Sequence, residues 1–235
     1  MRAASPPFAR LNWGCTVGII ESLALALGAS FLSGFNLYGV AFVLGALQIS
    51  GLTELPAGLQ ILSSPYVLTA AGALYIVEFF ADKIPGFDSL WDVLHTFIRI
   101  PGGSLLAVAA LEGVPSGMPP DVHFAVSLAG GGLLAALSHA TKSGSRMILN
   151  TSPEPITNLL ASVAEDVLVA FILVFMLFKP VAFFFLFAGL LVLTIWLMTK
   201  IVRGLKLFLA RFVPSKSEAK ENPSANDWAL DRHGR

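Results

Sequence analysis

The sequence predicts an all-α, polytopic membrane protein: a transmembrane helix bundle with about six crossings plus a re-entrant or broken segment. The chain of 235 residues is 55% hydrophobic and only 13% charged, whereas a soluble domain carries about 25% charge. Apolar runs of nearly bilayer-spanning length recur from residue 16 onward, and more than half of the Lys and Arg residues lie after residue 199. A soluble globular domain is therefore excluded.

Seven apolar segments follow one another along the chain. They are 16–32, 35–50, 65–81, 102–111, 122–141, 156–178 and 181–199. The last two are long enough to cross a hydrocarbon core of about 30 Å, and two of the others are short. We expect a cytoplasmic N-terminal segment (1–15), a transmembrane helical domain (16–210) and a disordered polar tail (211–235).

The positions of Lys and Arg predict the orientation of the helices, because positively charged loops stay in the cytoplasm. Residues 200–235 hold eight of the fifteen Lys and Arg residues, which places the C-terminus inside. Counting back along the chain, the loops at 82–101 and 142–155 are inside, and the loops at 51–64 and 112–121 are outside.

The path of the N-terminal segment is open to two interpretations. Arg2 and Arg10 favour the cytoplasm, which requires residues 16–50 to cross only once, with a break at Ser33-Gly34 that makes one part re-entrant or broken. The alternative is seven crossings with the N-terminus outside.

A weak internal repeat relates the two halves of the chain, 16–112 and 122–200. LALALGASFLSG (23–34) is similar to LLAALSHATKSG (133–144). Each of these stretches is followed by a Ser-Pro dipeptide, at 64–65 and 152–153. A carboxylate lies thirteen residues after each proline, at Glu78 and Asp166. The predicted topology makes this an inverted repeat, a plan common in transporters. The alternative is a chance likeness between Leu/Ala/Gly-rich helices.

The segment 88–99 predicts a short amphipathic helix between two spans, which Pro101-Gly102-Gly103 ends. Four polar residues fall within roughly 60° of one another at about 100° per residue, with apolar residues opposite. They are Asp88, Asp92, His95 and Arg99. The polar face is either solvated, with the helix lying at the lipid headgroups, or it lines a polar vestibule.

Four carboxylates lie in or beside predicted spans. They are Glu78, Asp82, Glu165 and Asp166, and Asn158 adds a polar group to the span of the last two. A carboxylate in lipid costs about 2.5 kcal/mol or more, so each should face protein, water or a partner. Lys83 is expected to pair with Glu78 or Asp82. The alternative for Glu165 and Asp166 is a structural role, in which they pair with Lys142 or Arg146 and only hold helices together.

A third group of polar residues lies in HATKSGSR (139–146), where His139, Lys142 and Arg146 share a helical face if the helix persists. Ser143-Gly144-Ser145 is expected to break the helix and expose backbone N–H groups. Two cations and such a loop suit an anionic or phosphate headgroup. The alternative is anchoring of the loop to acidic lipid.

The sequence contains no nucleophile elbow, zinc-binding helix motif or dinucleotide loop. The one cysteine, Cys15, excludes an intramolecular disulfide and a cysteine metal cluster. Asp92 and His95 have the spacing of a metal pair, but two ligands do not define a site. No catalytic residue, metal, cofactor or nucleic-acid partner is predicted, and no enzymatic activity is indicated.

The stretches SGFNLY (33–38), ADKIPGFDSLWD (81–92), SPEP (152–155) and EDV (165–167) occur in that order along the chain. Together they resemble a bacterial membrane family known as domain of unknown function 4126, over about residues 16–200. The resemblance implies a multi-pass bacterial membrane protein and carries over no functional residues.

Three hypotheses for the function remain. Buried acids, broken helices and the repeat favour a small transporter or channel-like carrier for an ion or small solute, in which protonation of the acids couples movement to a proton gradient. The alternatives are a protein that binds or flips an anionic lipid at Lys142 and Arg146, and a non-catalytic accessory subunit. The expected location is a bacterial inner (plasma) membrane, with membrane lipids as partners and an undetermined oligomeric state.

Overall fold

The computed structural model describes residues 18–84, 87–149 and 155–210, and all regular structure in these ranges is helical. Six α-helices and one 3₁₀ helix follow one another along them. They are α1 (Ile19–Ile49), the 3₁₀ helix (Ala57–Ser63), α2 (Pro65–Ala81), α3 (Phe87–Ala110), α4 (Pro120–Leu149), α5 (Pro155–Phe178) and α6 (Pro180–Ala210). The predicted all-α class is confirmed.

Five of the described helices, α1 and α3 to α6, are long and apolar enough to cross a membrane. The 3₁₀ helix and α2 pass the same test together, as a pair bent by 69°, which brings the number to six. Pro65 begins α2 at a position where its missing N–H costs no intrahelical bond. The chain is therefore a multi-pass helical membrane protein, as predicted.

α1 is a helical hairpin and not a straight rod. A straight helix of its 31 residues would be about 46 Å long. However, Gly18 and Ser22 at its start and Gln48 at its end line one cavity of about 770 Å³. The reversal falls at Asn36, where φ of −154° and ψ of 89° interrupt the helix. The first half (19–35) and the second half (37–49) therefore lead from Asn36 toward the same end of the bundle.

Asn36 acts as the N-cap of the second half of α1. Its backbone is extended, and its Oδ1 accepts the N–H of Gly39 at 2.7 Å. The predicted break within residues 16–50 is confirmed, but it falls at Asn36 and not at Ser33-Gly34. Ser33 is within the helix, and its hydroxyl donates to the carbonyl oxygen of Ser30, one turn back, at 2.7 Å.

The hairpin corrects the predicted path of the N-terminal part. A single crossing by residues 16–50 would place their ends at opposite ends of the bundle. Both ends of α1 instead lie beside the connection from α3 to α4, since Glu112 and Pro115 line the same cavity. A turn at membrane depth is tolerated here because its backbone is buried in protein, where side chains satisfy it.

α3 runs without interruption from Phe87 to Ala110, with Pro101 inside it. The predicted end of the helix at Pro101-Gly102-Gly103 is wrong, and the apolar segment 102–111 belongs to the same helix as 88–99. No water replaces a lost backbone hydrogen bond in a bilayer, so a membrane helix accommodates a proline more readily than it ends there.

α4 also continues where the sequence predicts a break. It passes through Ser143-Gly144-Ser145 and ends at Leu149. The hydroxyl of Ser145 donates to the carbonyl oxygen of Lys142 at 2.7 Å, within the helix. The hydroxyl group is thus satisfied within the helix, and the N–H groups of the stretch are part of the helix.

α1, α3 and α4 pack closely through small residues. A methyl group on Gly34 would collide with the carbonyl oxygen of Ala135, and one on Gly131 would lie 2.7 Å from the carbonyl oxygen of Gly103. The hydroxyl of Ser30 donates to the same Gly103 carbonyl at 2.9 Å. Small residues let helix backbones approach one another in a membrane, where apolar burial gives no drive to associate.

The chain divides into two compact units between Met198 and Thr199, and the sites described below lie in the first. The predictions for the N-terminal segment 1–15 and for the polar tail 211–235 concern residues outside the described ranges.

The hairpin predicts that Gly18 and Leu52 are accessible from the same side of the membrane. In a chain carrying Cys15→Ser, we expect Gly18→Cys and Leu52→Cys to react with a membrane-impermeant maleimide added to one side, and Ile84→Cys to react from the other. Labelling in sealed vesicles of both orientations measures this. Labelling of Gly18→Cys and Ile84→Cys from a common side would contradict the hairpin.

Removal of the cap at the turn should destabilise the bundle. We expect Asn36→Ala to lower the free energy of unfolding by about 1 kcal/mol or more, because the N–H of Gly39 loses its acceptor. Asn36→Ser, whose hydroxyl also caps helices, should be the more stable of the two variants. Thermal unfolding in detergent provides the comparison, and equal stability of the two would argue against the capping role.

Candidate functional site

The polar face of α3 is turned into the protein, and its apolar face is turned outward. Asp88, Asp92, His95 and Arg99 are at most 6% exposed, whereas Phe97 is 81% exposed. A helix lying at the headgroups would show the reverse, so the prediction of a solvated polar face is wrong. Lipid accommodates the apolar face, and the polar face requires partners within the protein.

Arg99 contacts two carboxylates from different helices. Its Nη1 donates to Asp92 Oδ1 at 2.8 Å, and its Nη2 donates to Oε1 of Glu78 on α2. All three side chains are almost completely buried. One guanidinium therefore faces two carboxylate groups with no solvent to share in their neutralisation.

His139 of α4 lies against the same guanidinium. Its Nδ1 lies 3.1 Å from Arg99 Nη1, which can only donate, and 3.3 Å from the carbonyl oxygen of Gly34, which can only accept. Its Nε2 is 2.8 Å from Thr96 Oγ1, and this hydroxyl also lies 3.0 Å from the carbonyl oxygen of Asp92. Each neutral tautomer satisfies one of the two neighbours of Nδ1, and the adjacent guanidinium disfavours a second positive charge on the ring.

Lys142 and Arg146 lie one turn apart on α4, on the face predicted from the sequence, and both are buried. Lys142 Nζ is 2.6 Å from Asp82 Oδ2, and Arg146 Nη2 is 2.6 Å from Glu165 Oε2. Arg146 Nη1 is also 3.5 Å from Asp88 Oδ2. The two cations therefore connect α4 to the end of α2, to α3 and to α5.

A further pair connects α2 to α5. Lys83 Nζ is 3.3 Å from Asp166 Oδ2, and these side chains are 14% and 13% exposed. Asp166 Oδ1 accepts from Asn36 Nδ2 at 3.2 Å, which joins the pair to the turn of α1. Lys83 thus pairs with Asp166 and not with Glu78 or Asp82, because it follows the end of α2 and extends toward α5.

The turn of α1 brings backbone carbonyls to two of these cations. The carbonyl oxygen of Phe35 accepts from Lys142 Nζ at 2.9 Å, and that of Gly34 lies 3.5 Å from Arg99 Nη1. Both carbonyls belong to the last turn of the first half of α1, where the helix dipole is negative and favours cations. The break in α1 is therefore part of the same electrostatic arrangement.

We call this set of residues the buried charge network, and carboxylates outnumber cations in it by six to four among the described residues. Its acids are Glu78, Asp82, Asp88, Asp92, Glu165 and Asp166, and its cations are Lys83, Arg99, Lys142 and Arg146. Three buried carboxylate oxygens accept no hydrogen bond within the described part of the chain: Glu78 Oε2, Asp82 Oδ1 and Asp92 Oδ2. Uncompensated carboxylates are costly in a low dielectric, so the network has a capacity for protons or another cation.

The structure brings together nearly all of the residues that the sequence singled out. His95 lies beside the network, stacked on Trp91 with 4.2 Å between ring centroids, and its Nδ1 donates to the Trp91 carbonyl oxygen at 2.8 Å. Asn158 belongs to α5, but its side chain lies outside the described residues. Sequence reasoning did not place Asn36 in the site, although an amide inside an apolar segment is a usable signal.

Two cavities lined by described residues reach the edge of the network. One, of about 220 Å³, lies among α1, α4, α5 and α6 and is mostly apolar, with Lys142, Glu165 and three hydroxyl side chains in its wall. The other, of about 30 Å³, lies beside Asp166. Glu78 and Asp92 line neither of them. In the described ranges, no three His, Cys, Asp or Glu side chains are grouped as metal ligands.

Asp82 follows the end of α2 and shows the effect of the cations on an acid. Burial by itself raises the pKa of this carboxyl group, but Lys142 and then Arg146 lower it, and the pKa of Asp82 lies below its usual value. Its ionised form therefore stabilises the fold above the ordinary aspartate pKa of about 3.9. That contribution is lost as the pH falls through the lowered pKa.

The helices and the network define the class of this protein: a multi-pass membrane protein built around ionisable groups in its interior. A family model described as "Domain of unknown function (DUF4126)" matches residues 23–200. The match covers more than half of the chain, and the chain belongs to this family. The resemblance seen in the sequence is thereby confirmed. Comparison with curated proteins and with solved structures gave no match.

Because acids are in surplus, we expect removal of the cation of an ion pair to destabilise the protein more than removal of its acid. We expect Lys142→Met to lower the free energy of unfolding by about 3–5 kcal/mol, because it removes a cation where acids are already in excess. Asp82→Asn, on the other side of the same 2.6 Å contact, should cost less than half as much. Chemical unfolding in detergent measures both, and equal losses would contradict the surplus.

Proposed function

We propose that this protein is a small carrier or channel-like protein for an ion or small solute, with the buried charge network as its binding region. One observation carries the proposal: the turn of a helical hairpin ends on buried charges among which carboxylates outnumber cations. Ionisable groups inside a membrane mark ion and substrate pathways. Half-helices that end inside the membrane are how many transporters present backbone groups to their substrates.

A cation of the network can change its carboxylate partner, because several carboxylates lie close to it. Lys142 Nζ is 2.6 Å from Asp82, 3.9 Å from Glu165 and 4.0 Å from Asp92. A cation with three acceptors at this range changes its partner through a small movement. A positively charged ligand that reaches Glu165 through the adjoining cavity competes with Lys142, which also contacts the carbonyl of Phe35 at the turn of α1. Ligand binding and movement of the hairpin are coupled in this way.

The alternative of an anionic-lipid site at Lys142 and Arg146 has less support. Both cations are buried and surrounded by carboxylates, which repel an anionic headgroup. The alternative of an accessory subunit treats the ion pairs as links that only hold helices together. It differs from the carrier in a measurable way. Under this alternative, variants that remove a charge alter stability, and neither they nor the wild-type chain give solute flux.

The finer topological expectations belong to this proposal. The distribution of Lys and Arg favours a cytoplasmic C-terminus, and the resemblance to the bacterial family favours an inner membrane. The inverted repeat of 16–112 and 122–200 stays a prediction, and α1 folds back at Asn36 whereas α4 is continuous. The carrier proposal does not depend on the repeat, since it rests on the network alone.

The carrier proposal predicts solute-dependent flux that requires two acids of the network. Purified protein in liposomes on a solid-supported membrane is tested with a panel of inorganic cations, amines, anions and neutral solutes. We expect at least one solute to give a current or an uptake signal. Glu78→Gln and Asp166→Asn should each lower it about tenfold or more, since a hydrogen bond to a charged group contributes about 1.5–3 kcal/mol.

Asp121→Asn is the matched control, because Asp121 is exposed in the first turn of α4, away from the network. Its flux should equal that of the wild-type chain. Flux that persists unchanged in both network variants would remove these acids from the mechanism. Absence of flux with every solute, relative to protein-free liposomes, would contradict the carrier.

A further inference from the structure

Three residues of the buried charge network form a unit whose charges do not balance. Glu78, Arg99 and Asp92, which we call the charge triad, are 0%, 0% and 1% exposed. Arg99 donates to one oxygen of each carboxylate. With both acids ionised, the triad carries one net negative charge where the side chains have almost no solvent exposure.

The free oxygens of the triad identify where this imbalance lies. Glu78 Oε2 and Asp92 Oδ2 are buried and accept no hydrogen bond from the described residues. The next nearest cation, Lys142, is 4.0 Å from Asp92 Oδ1 but donates to Asp82 Oδ2 at 2.6 Å. Among the residues that the structure describes, the second charge of the triad therefore has no cation of its own.

The ionisable groups around the triad do not supply the missing positive charge. Those that face it are Tyr38 of α1, Tyr75 of α2, Asp82 after α2, His95 of α3, and His139, Lys142 and Arg146 of α4. Arg99 lies 3.1 Å from His139 Nδ1 and disfavours a positive charge on that ring. The tyrosines are neutral, Lys142 is matched by Asp82, and Arg146 is matched by Glu165. His95 donates through Nδ1 to the carbonyl oxygen of Trp91 and forms no ion pair with a described carboxylate.

We propose that the charge triad binds one proton, shared between Glu78 and Asp92, and that this proton is the coupling ion of the protein. A single proton gives the triad one cation, one carboxylate and one neutral carboxyl group. It also removes the negative charge from a carboxyl group whose second oxygen accepts no hydrogen bond from the described residues. Because the two acids share Arg99, the proton belongs to the pair and not to either residue alone.

The geometry favours a proton over a metal ion as the bound cation. A metal ion requires several oxygen or nitrogen ligands that converge on one point. The described part of the chain contains no group of three such side chains. A proton requires only one oxygen atom, and the triad offers two that are unoccupied.

Release of the proton would act on the turn of α1. Without it, two ionised carboxylates compete for Arg99, whose Nη1 lies 3.5 Å from the carbonyl oxygen of Gly34. A guanidinium drawn more strongly toward Glu78 and Asp92 leaves that carbonyl, which ends the first half of the hairpin. Through Arg99, the protonation state of the triad therefore affects the hairpin of α1, which is the element that moves in the carrier proposal. This coupling role rests on that proposal.

Infrared difference spectroscopy of the protein in lipid membranes tests the proton directly, because a protonated carboxyl group has a carbonyl stretching band separate from the carboxylate bands. Exposed acids are ionised throughout the range from about pH 6 to about pH 10 and do not contribute. We expect the wild-type chain to lose one such band as the pH rises through this range. Glu78→Gln and Asp92→Asn should each abolish that change, since either variant leaves Arg99 with a single carboxylate.

Asp121→Asn serves as the control and should retain the band. A pH-dependent band that is unchanged in both triad variants would overturn the proposal, and so would its absence from the wild-type chain. In a further experiment, sodium replaces choline in the buffer at constant pH and the same band is measured. A sodium-dependent loss of the band without any pH-dependent loss would assign the site to a metal cation.

Thermal unfolding provides a second readout. Each triad variant removes surplus negative charge, so both should fold and should be at least as stable as the wild-type chain at about pH 10, where the wild-type triad has lost its proton. Failure of both variants to fold would overturn the proposal. The spectra can be recorded without any transport. A pH-dependent carboxyl band in a protein that shows no solute flux would refute only the carrier proposal. Solute flux in a protein without this band would refute only the proton site.

Discussion

A charge inside a hydrocarbon layer must be neutralised by the protein itself, and the architecture of this bundle depends on that constraint. Four cations from the end of α2, α3 and α4 meet six carboxylates from α2, α3 and α5. Each helix that carries one of these groups must turn it toward the others, which fixes its rotation about its own axis. The tight contacts at Gly34 and Gly131 are compatible with that arrangement because small residues let the backbones approach.

The same constraint explains why α1 does not cross the bundle. Its interruption at Asn36 places the carbonyls of Gly34 and Phe35, which a continuous helix would use internally, against Arg99 and Lys142. The hairpin therefore gains partners for its free backbone groups, and the cations gain acceptors. Asn36 serves both sides of the turn, since it caps the second half and donates to Asp166.

Neutralisation in the network is incomplete among the described residues, since carboxylates outnumber cations there. A fully matched set of buried pairs would resist exchange, because separation of any pair leaves two uncompensated charges. Here Arg99 and Lys142 each have more than one carboxylate within 4.0 Å, and three carboxylate oxygens accept no hydrogen bond from the residues that the structure describes. Such a network can accept a cation or a proton without first breaking, which is a physical requirement for a binding site that must also release its ligand.

The sequence by itself determined the membrane class, the number of apolar spans to within one, and most of the residues that form the buried charge network. Composition and apolar length decide these properties, and an acid in a membrane helix is visible without any tertiary structure. The sequence did not determine that α1 folds back or that Pro101 lies within α3. It also did not determine that Lys83 pairs with Asp166. These depend on which buried group satisfies a given backbone carbonyl or carboxylate, and such partners are distant in sequence: Asn36 and Asp166 are separated by 130 positions. Only the packed helices decide which of several nearly equivalent partners lies within reach.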